Sequence, residues 1–126
     1  MSVESEVRLL DSILTSVKQA LGIMPEYDVF DSTLIMHINS VFMILQQIGI
    51  GPEEGYQIHN VNDTWADFIQ DDPRKNMVKS YMSLQVRLMF DPPTSSVTSE
   101  AIKRYIDELE WRMNFNAEGD RMSDTK

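Results

Sequence analysis

From Ser32 to Pro52 the chain carries no formal charge at neutral pH, although 25% of its residues are charged. The apolar residues in this stretch recur at the spacing of one face of an α-helix: Leu34, Ile35, Ile38, Val41, Phe42, Leu45 and Ile48. His37, Asn39 and Gln46 interrupt it, so it lacks the run of about 20 predominantly apolar residues that a membrane span needs. The sequence therefore predicts a buried central helix and no membrane span.

The segment Gly49–Gly55, with the sequence GIGPEEG, raises the question of a phosphate-binding glycine loop. Such a loop presents backbone N–H groups to an anion at the start of a helix, and in its dinucleotide-binding form it follows a strand. Here the glycines follow a predicted helix, and Glu53 and Glu54 would repel a phosphate at close range. Gly49 is therefore predicted to cap the helix, with a Gly-Pro turn after it.

The remaining segments complete the prediction of an all-α fold, a small bundle of about four to five helices in one domain. The helices are predicted at about 4–21, 31–48, 63–70, 73–90 and 97–114. Between the second and third helices, residues 49–62 are predicted to form a long loop or a hairpin-like arm. Residues 116–126 are a polar, flexible tail that a partner can order, which leaves residues 1–115 as the helical domain.

Local signals mark where these helices begin and which side chains they bury. Gly22 is expected to stop the first helix. Caps are expected at Asp31 or Ser32, at Asp63 or Thr64, and at Asp72, which precedes a proline. The side chains predicted to face the core are Trp65, Phe68 and Ile69 on the third helix and Ile102, Ile106, Leu109 and Met113 on the last helix.

The first helix has apolar residues at alternating spacings of four and three, which is the pattern of a heptad seam. These residues are Val3, Val7, Leu10, Leu14, Val17 and Leu21. The seam can pack on the second helix of its own domain or pair with another chain. Because it is only three heptads long, packing within the domain is favoured.

Composition excludes several function classes. A net charge of -9 and a pI near 4.5 argue against a protein that binds nucleic acid by neutralising its phosphates with clustered lysine and arginine. Without cysteine there is no disulfide, thiolate zinc site or cysteine nucleophile. The polar start MSVESEV does not resemble a signal peptide, so an intracellular origin is expected.

Residues with catalytic potential are sparse and do not form a known signature. The two histidines, His37 and His59, have no set of metal-ligand neighbours at the required spacing. The adjacent acids Asp71 and Asp72 are explained by capping at a helix start. We therefore expect no metal, no cofactor and no enzymatic activity.

Four motifs, in this order, resemble the head-tail connector, or adaptor, family of tailed bacteriophages. They are YDVFDSTLIMHINSVFMILQQIGIGP, TWADFI, VKSYMSLQVRLMFDPP and ELEWRMNF. The similarity covers nearly all of residues 7–115. The departures lie mostly in the loop 53–62 and in the tail.

The resemblance implies a structural protein of the virion. Its copies are expected to form a homo-oligomeric ring, a dodecamer, under the portal protein at the vertex where DNA leaves the head. The ring would extend the DNA channel and receive neck or tail-completion proteins, after assembly in the host cytoplasm. DNA would pass through without specific binding, which suits the acidic composition.

Three sets of residues are candidates for contacts in such an assembly. The loop 49–62 is expected to face the channel or the next ring, through Glu53, Glu54, Tyr56 and His59. By analogy with the family, the end of the last helix is expected to dock on the portal, through Trp111, Arg112, Met113, Asn114 and Phe115. Contacts between subunits are expected on the side of the second helix that its apolar stripe leaves free, through Met36, Met43 and Ile44.

A different class of protein also fits the sequence. A small acidic helical regulatory or partner-binding protein would dimerise through the heptad seam of its first helix. A two-fold dimer in solution would favour this alternative, and a ring on portal-bearing heads would favour the connector.

Overall fold

A computed structural model of the chain describes the backbone of residues 10–124 and the side chains of residues 10–114. It has five described helices: α1 (Ile13–Ala20), α2 (Asp31–Ile48), α3 (Trp65–Phe68), α4 (Lys75–Phe90) and α5 (Ser96–Asp124). Within the described backbone there is no β-strand, only an isolated bridge between Ser12 and Thr64. The prediction of an all-α bundle is confirmed, and the segment after α2 is a long loop.

The core lies between α2 and α4, which pack against each other, while α1 and α5 pack against both. The predicted stripe of α2 is buried at Leu34, Ile38, Val41, Phe42 and Leu45, and α4 buries Val78, Tyr81, Met82 and Val86. On α5 the buried residues Ile106, Leu109 and Met113 confirm the predicted stripe. Within residues 10–124, no helix combines the length and apolarity needed to cross a membrane.

The first helix differs from its prediction, because α1 begins at Ile13. Ser12 has an extended backbone, with ψ of 127°, and its Oγ accepts a hydrogen bond from the N–H of Thr15 at 3.2 Å. The N–H of Ile13 donates instead to the carbonyl of Asp63, at 3.0 Å. A contact with a distant segment therefore replaces the helical hydrogen bonds that a continuous helix would make here.

This helix start interrupts the predicted heptad seam. Leu14 and Val17 are buried against the domain's own core, as the favoured alternative predicted, but Leu10 is 86% exposed. Val3 and Val7 lie outside the described residues. Leu10 therefore does not pack within the domain, and pairing of the seam with another chain stays a prediction.

Of the five helix caps and stops predicted from local signals, three are confirmed and two, at the starts of α2 and α4, are shifted. Gly22 and Gly49 follow α1 and α2 with positive φ, and Thr64 caps α3 in a capping box. Neither Asp31 nor Ser32 caps α2, whose N-cap is Phe30, since the carboxylate of Asp31 binds Lys18.

The fourth helix begins at Lys75, two residues later than Pro73. Asp72 still organises this start, because its Oδ1 accepts from the N–H of Arg74 at 2.8 Å and its Oδ2 accepts from the guanidinium at 2.8 Å. These hydrogen bonds lower the pKa of Asp72, although partial burial opposes the shift.

The last helix is longer than predicted. Its backbone is helical to Asp124, whereas the sequence predicted an end near Asn114 and a flexible tail. No proline follows Pro93, and Gly119, which costs about 1 kcal/mol inside a helix, does not end it. The proposed domain limit at residue 115 stays a prediction. On the described part of α5, Arg112 pairs with Glu108 at 2.7 Å and Lys103 lies 3.8 Å from Glu100.

The loop between α2 and α3, residues 49–64, packs along α2. Its apolar residues Ile50 and Ile58 are buried. The side-chain amide of Asn39 donates to the carbonyl of Ile58 at 3.0 Å and accepts from its N–H at 2.8 Å. Farther along α2, Gln46 donates to the carbonyl of Glu53 at 2.9 Å. The loop is therefore attached to the helix by side chains that satisfy its backbone groups.

We expect Gly51→Ala to lower the free energy of unfolding by about 2 kcal/mol, from a positive φ and a steric clash together. Gly51 has φ of +86°, and a Cβ there would lie 2.3 Å from Cε1 of Phe68. Gly22 has φ of +77° and open space around it, so Gly22→Ala is the control for the backbone contribution, about 1 kcal/mol. Urea denaturation of both variants measures the difference, and equal losses would refute the close approach to Phe68.

Candidate functional site

The solvent-facing side of α2 forms an uncharged surface. Met36 and Met43 are 61% and 58% exposed, and Ser40 and Gln47 are exposed at helical spacing in the same row. We call Met36, Ser40, Met43 and Gln47 the α2 outer face. It confirms the prediction that the two methionines point away from the buried stripe. Ile44, the third predicted residue, is partly buried and packs against the core, so it lies at the edge of this face.

Beside Met43 the loop and α2 enclose a cleft of about 320 Å³, lined by Met43, Gln46, Glu54, Gly55, Tyr56, Gln57 and His59. The loop approaches the helix closely here, since a Cβ on Gly55 would lie 2.8 Å from Oε1 of Gln46. The sequence predicted the loop residues and the methionines as separate sites. The structure brings Glu54, Tyr56 and His59 together with Met43, while Glu53 is exposed outside the cleft lining.

Tyr56 holds the wall of this cleft in place. Its ring packs edge-on against Phe42, with centroids 5.1 Å apart, and lies 5.2 Å from the ring of Phe68. Burial, followed by the nearby carboxylates of Asp63 and Asp67, raises the pKa of Tyr56 to about 12. The side chain therefore stays a neutral phenol at physiological pH and presents both apolar and hydrogen-bonding surface to the cleft.

His59 and Asp63 are neighbours for a structural reason. The carboxylate of Asp63 accepts hydrogen bonds from the N–H groups of His59, at 2.6 Å, and Asn60, at 3.1 Å. This closes the turn before α3 and leaves the imidazole of His59 on the cleft. Across the described residues, no three histidine or carboxylate side chains are grouped so as to hold a metal ion.

The candidates on α5 lie away from the cleft lining. Trp111 is 67% exposed, Arg112 and Asn114 are exposed, and Arg112 is paired with Glu108. Met113 is fully buried, because it continues the stripe of Ile106 and Leu109 into the core, so it is not on a surface that a partner can reach. The side chain of Phe115 lies outside the described residues.

A partly buried hydrogen bond between α4 and α5 sets the rotation of α5. The hydroxyl of Tyr81 donates to Glu110 at 2.5 Å and accepts from the side chain of Gln85 at 3.1 Å. Burial and the Glu110 carboxylate raise the pKa of Tyr81 well above its usual value. Because Glu110 is thus turned toward α4, Trp111, 100° further around the helix, points to solvent.

Sequence reasoning missed the polar residues that build the cleft. Gln46 and Gln57 line it, and Asn39 attaches the loop that forms its wall. The available signal was the row of amides on one uncharged helix next to a glycine-rich loop, since amides in such a position tend to bond backbone groups. From the sequence alone, Asn39 and Gln46 are interpreted only as interruptions of an apolar stretch, and no role is assigned to Gln57.

The comparisons with known proteins agree with this architecture. The model of a family described as phage connector protein matches residues 13–120. This range contains α1 to α4 and all of α5 except its last four residues. No curated protein and no solved structure matches the chain. Because one family model spans the described bundle almost from end to end, the chain belongs to the phage connector protein family.

Proposed function

We propose that this connector protein is the subunit of a homo-oligomeric ring, a dodecamer, that lies beneath the portal, extends the DNA channel and links the head to neck and tail-completion proteins. The observation that carries the proposal is the α2 outer face, an exposed and uncharged surface on an otherwise acidic chain. In a protein that acts in the virion of a phage, such a surface is a natural contact between copies.

A closed ring needs a heterologous contact, in which each subunit offers two different surfaces to its two neighbours. The α2 outer face and the adjoining cleft supply one of them. Met36 and Met43 have flexible side chains that fit irregular partner surfaces. The cleft next to Met43 has room for side chains of the neighbouring copy, with Ile44 at its margin.

Acidity supports the proposed passage of DNA. The chain has a net charge of -9, and Glu53 and Glu54 are both exposed on the loop beside the cleft. Carboxylates that face a channel repel DNA phosphates, so that the nucleic acid slides through without being held. We therefore place the loop 49–62 at the channel or against the next ring.

The end of α5 is proposed as the contact with the portal. Trp111 presents a large amphipathic ring to solvent, and Arg112 and Asn114 lie next to it with polar groups. Tryptophan and arginine are the residues that most often dominate binding energy in protein interfaces. Phe115 remains part of this proposal, and Met113 is excluded because it is buried.

The regulatory alternative loses part of its basis. It requires a free seam on the first helix, but Leu14 and Val17 are buried by α2 and α4 of the same chain. No described feature favours it over the connector.

We expect the double substitution Met36→Glu and Met43→Glu to reduce ring formation on heads at least about tenfold, because it places two charged carboxylates in a contact made by an uncharged surface, where they lose solvation. Portal-bearing heads from source phage that lacks this protein are incubated with the purified chain, and ring occupancy is counted by cryo-electron microscopy. Folding should be nearly unchanged, since exposed substitutions usually alter stability by less than about 0.5 kcal/mol.

The matched control is Met89→Glu, because Met89 is an exposed methionine on α4 outside the proposed surfaces. Normal occupancy for Met89→Glu and loss for the double variant would support the contact on α2. Normal rings with the double variant would place the contact elsewhere. Failure of the unaltered chain to bind heads would reject the ring beneath the portal as a whole.

A further inference from the structure

A second exposed apolar surface lies at the opposite end of α2 from the cleft. It consists of Met24, Tyr27, Val29 and Phe30, which are exposed on the loop between α1 and α2, together with Phe90 at the end of α4. We call these five residues the loop patch. Its rings form a continuous series, with 5.8 Å between the centroids of Tyr27 and Phe30 and 5.1 Å between those of Phe30 and Phe90.

The loop that carries this patch is fixed from inside the protein. Lys18 is only 2% exposed, and its ammonium donates to the carbonyl of Pro25 at 2.9 Å and to the carboxylate of Asp31 at 2.8 Å. The N–H of Ile23 donates to the carbonyl of Lys18 at 2.8 Å. The patch is therefore held in one conformation before any partner binds, which reduces the entropic cost of binding.

Charged groups at the rim of the patch are mainly acidic. Glu26 and Asp28 are exposed within the loop, and Asp91 is exposed directly after Phe90. One guanidinium, that of Arg87, lies one helical turn before Phe90. Aromatic rings with a rim of carboxylates favour a ligand that combines apolar side chains with positive charge.

We propose that the loop patch binds a different protein, through a segment whose apolar side chains are flanked by lysine or arginine. A second copy of this chain is a poor occupant, because its candidate contact surface, the α2 outer face, carries no lysine or arginine to meet the acidic rim. The patch shares no residue with the α2 outer face, the cleft or the candidates on α5. The proposal therefore goes beyond the proposed ring and is tested separately from it.

Two synthetic peptides probe the proposal directly. They share the core Leu-Phe-Ile-Leu, and one has two lysines at each end while the other has two glutamates. Binding of each labelled peptide to the full chain is measured by fluorescence anisotropy at physiological ionic strength. We expect the lysine peptide to bind at least about tenfold more tightly than the glutamate peptide. The double variant Tyr27→Ser and Val29→Ser should weaken that binding about tenfold.

A charge-matched pair of variants separates this site from general attraction to an acidic protein. Glu26→Gln, Asp28→Asn and Asp91→Asn together should weaken binding of the lysine peptide about fivefold. Asp71→Asn, Glu100→Gln and Asp107→Asn remove the same number of exposed carboxylates elsewhere and should leave it unchanged.

Equal weakening by both triple variants would overturn the proposal, as would equal binding of the two peptides. Sedimentation of the unaltered chain provides a further test. If the chain self-associates and the variant Tyr27→Ser and Val29→Ser does not, the patch is a contact between copies and the proposal is wrong.

Discussion

Replacing Trp65 by alanine is expected to lower the free energy of unfolding by about 3–5 kcal/mol, the usual range for a buried tryptophan. The side chain is 1% exposed, and its ring lies 6.2 Å from that of Phe42 and 6.4 Å from that of Phe68. Truncation would leave a cavity between α2, α3 and the start of α1, because these elements are tied to the rest of the bundle through this ring.

Trp65 has further contacts, only some of which an apolar residue of similar size would keep. Its indole N–H donates to Oγ of Ser16 at 2.9 Å, and its backbone N–H donates to the carbonyl of Asp11 at 3.0 Å. The ammonium of Lys79 lies 5.9 Å from the centre of the ring. Trp65→Phe would keep the backbone bond and much of the apolar contact, so its cost should be smaller, about 1–2 kcal/mol.

Urea denaturation followed by helical circular dichroism measures these losses, and Trp111→Ala is the matched control. Trp111 is the only other tryptophan and is 67% exposed, so its truncation should change stability by less than about 0.5 kcal/mol. Similar losses at the two positions would contradict the burial of Trp65.

The sequence predicted α3 correctly, but it did not predict the break before α1, the segment that α3 contacts. Thr64 before an apolar group is a local capping signal, and the inward positions of Trp65 and Phe68 follow from helical spacing. The break before α1 had one local signal, the N-cap residue Ser12, which the helical pattern around it masks. It depends on backbone contacts of Asp11 and Ile13 with residues about 50 positions away, and pattern analysis of a single segment does not detect such contacts.

In the candidate site, too, the features that depend on nearby residues were predicted, and those that depend on contacts between distant segments were not. The outward positions of Met36 and Met43 follow from the helical repeat alone and were predicted correctly. Their meeting with Tyr56 and His59 depends on the path of an irregular loop, which the amide of Asn39 determines. Met113 could have been excluded from the sequence, since it belongs to the same stripe as Leu109.

Replacing Asp31 by alanine is expected to cost about 3 kcal/mol, because it leaves the buried ammonium of Lys18 without its counter-charge. The two groups are 2.8 Å apart, and the side chain of Lys18 is 3% exposed while that of Asp31 is 30% exposed. Lys18→Met should cost only about 1 kcal/mol, because it removes the buried charge and keeps an aliphatic side chain, while Asp31 can be solvated. Asp31→Ala should therefore cost more than Lys18→Met, because the ammonium of Lys18 is the charge that water does not reach. Urea denaturation of the two variants measures both losses.

The double variant Lys18→Met and Asp31→Ala tests this reasoning further. Once the ammonium is gone, losing the carboxylate should add little, so the loss in the double variant should fall short of the sum of the two single losses by about 3 kcal/mol. The exposed pair of Arg112 and Glu108, 2.7 Å apart, is the control: Arg112→Met and Glu108→Gln should each change stability by less than about 0.5 kcal/mol. Additive losses at Lys18 and Asp31 would mean that the pair is not coupled. The loop patch would then owe its fixed conformation to the bonds of Lys18 and Ile23 with the backbone, and Asp31→Ala would leave peptide binding at Tyr27 and Val29 intact.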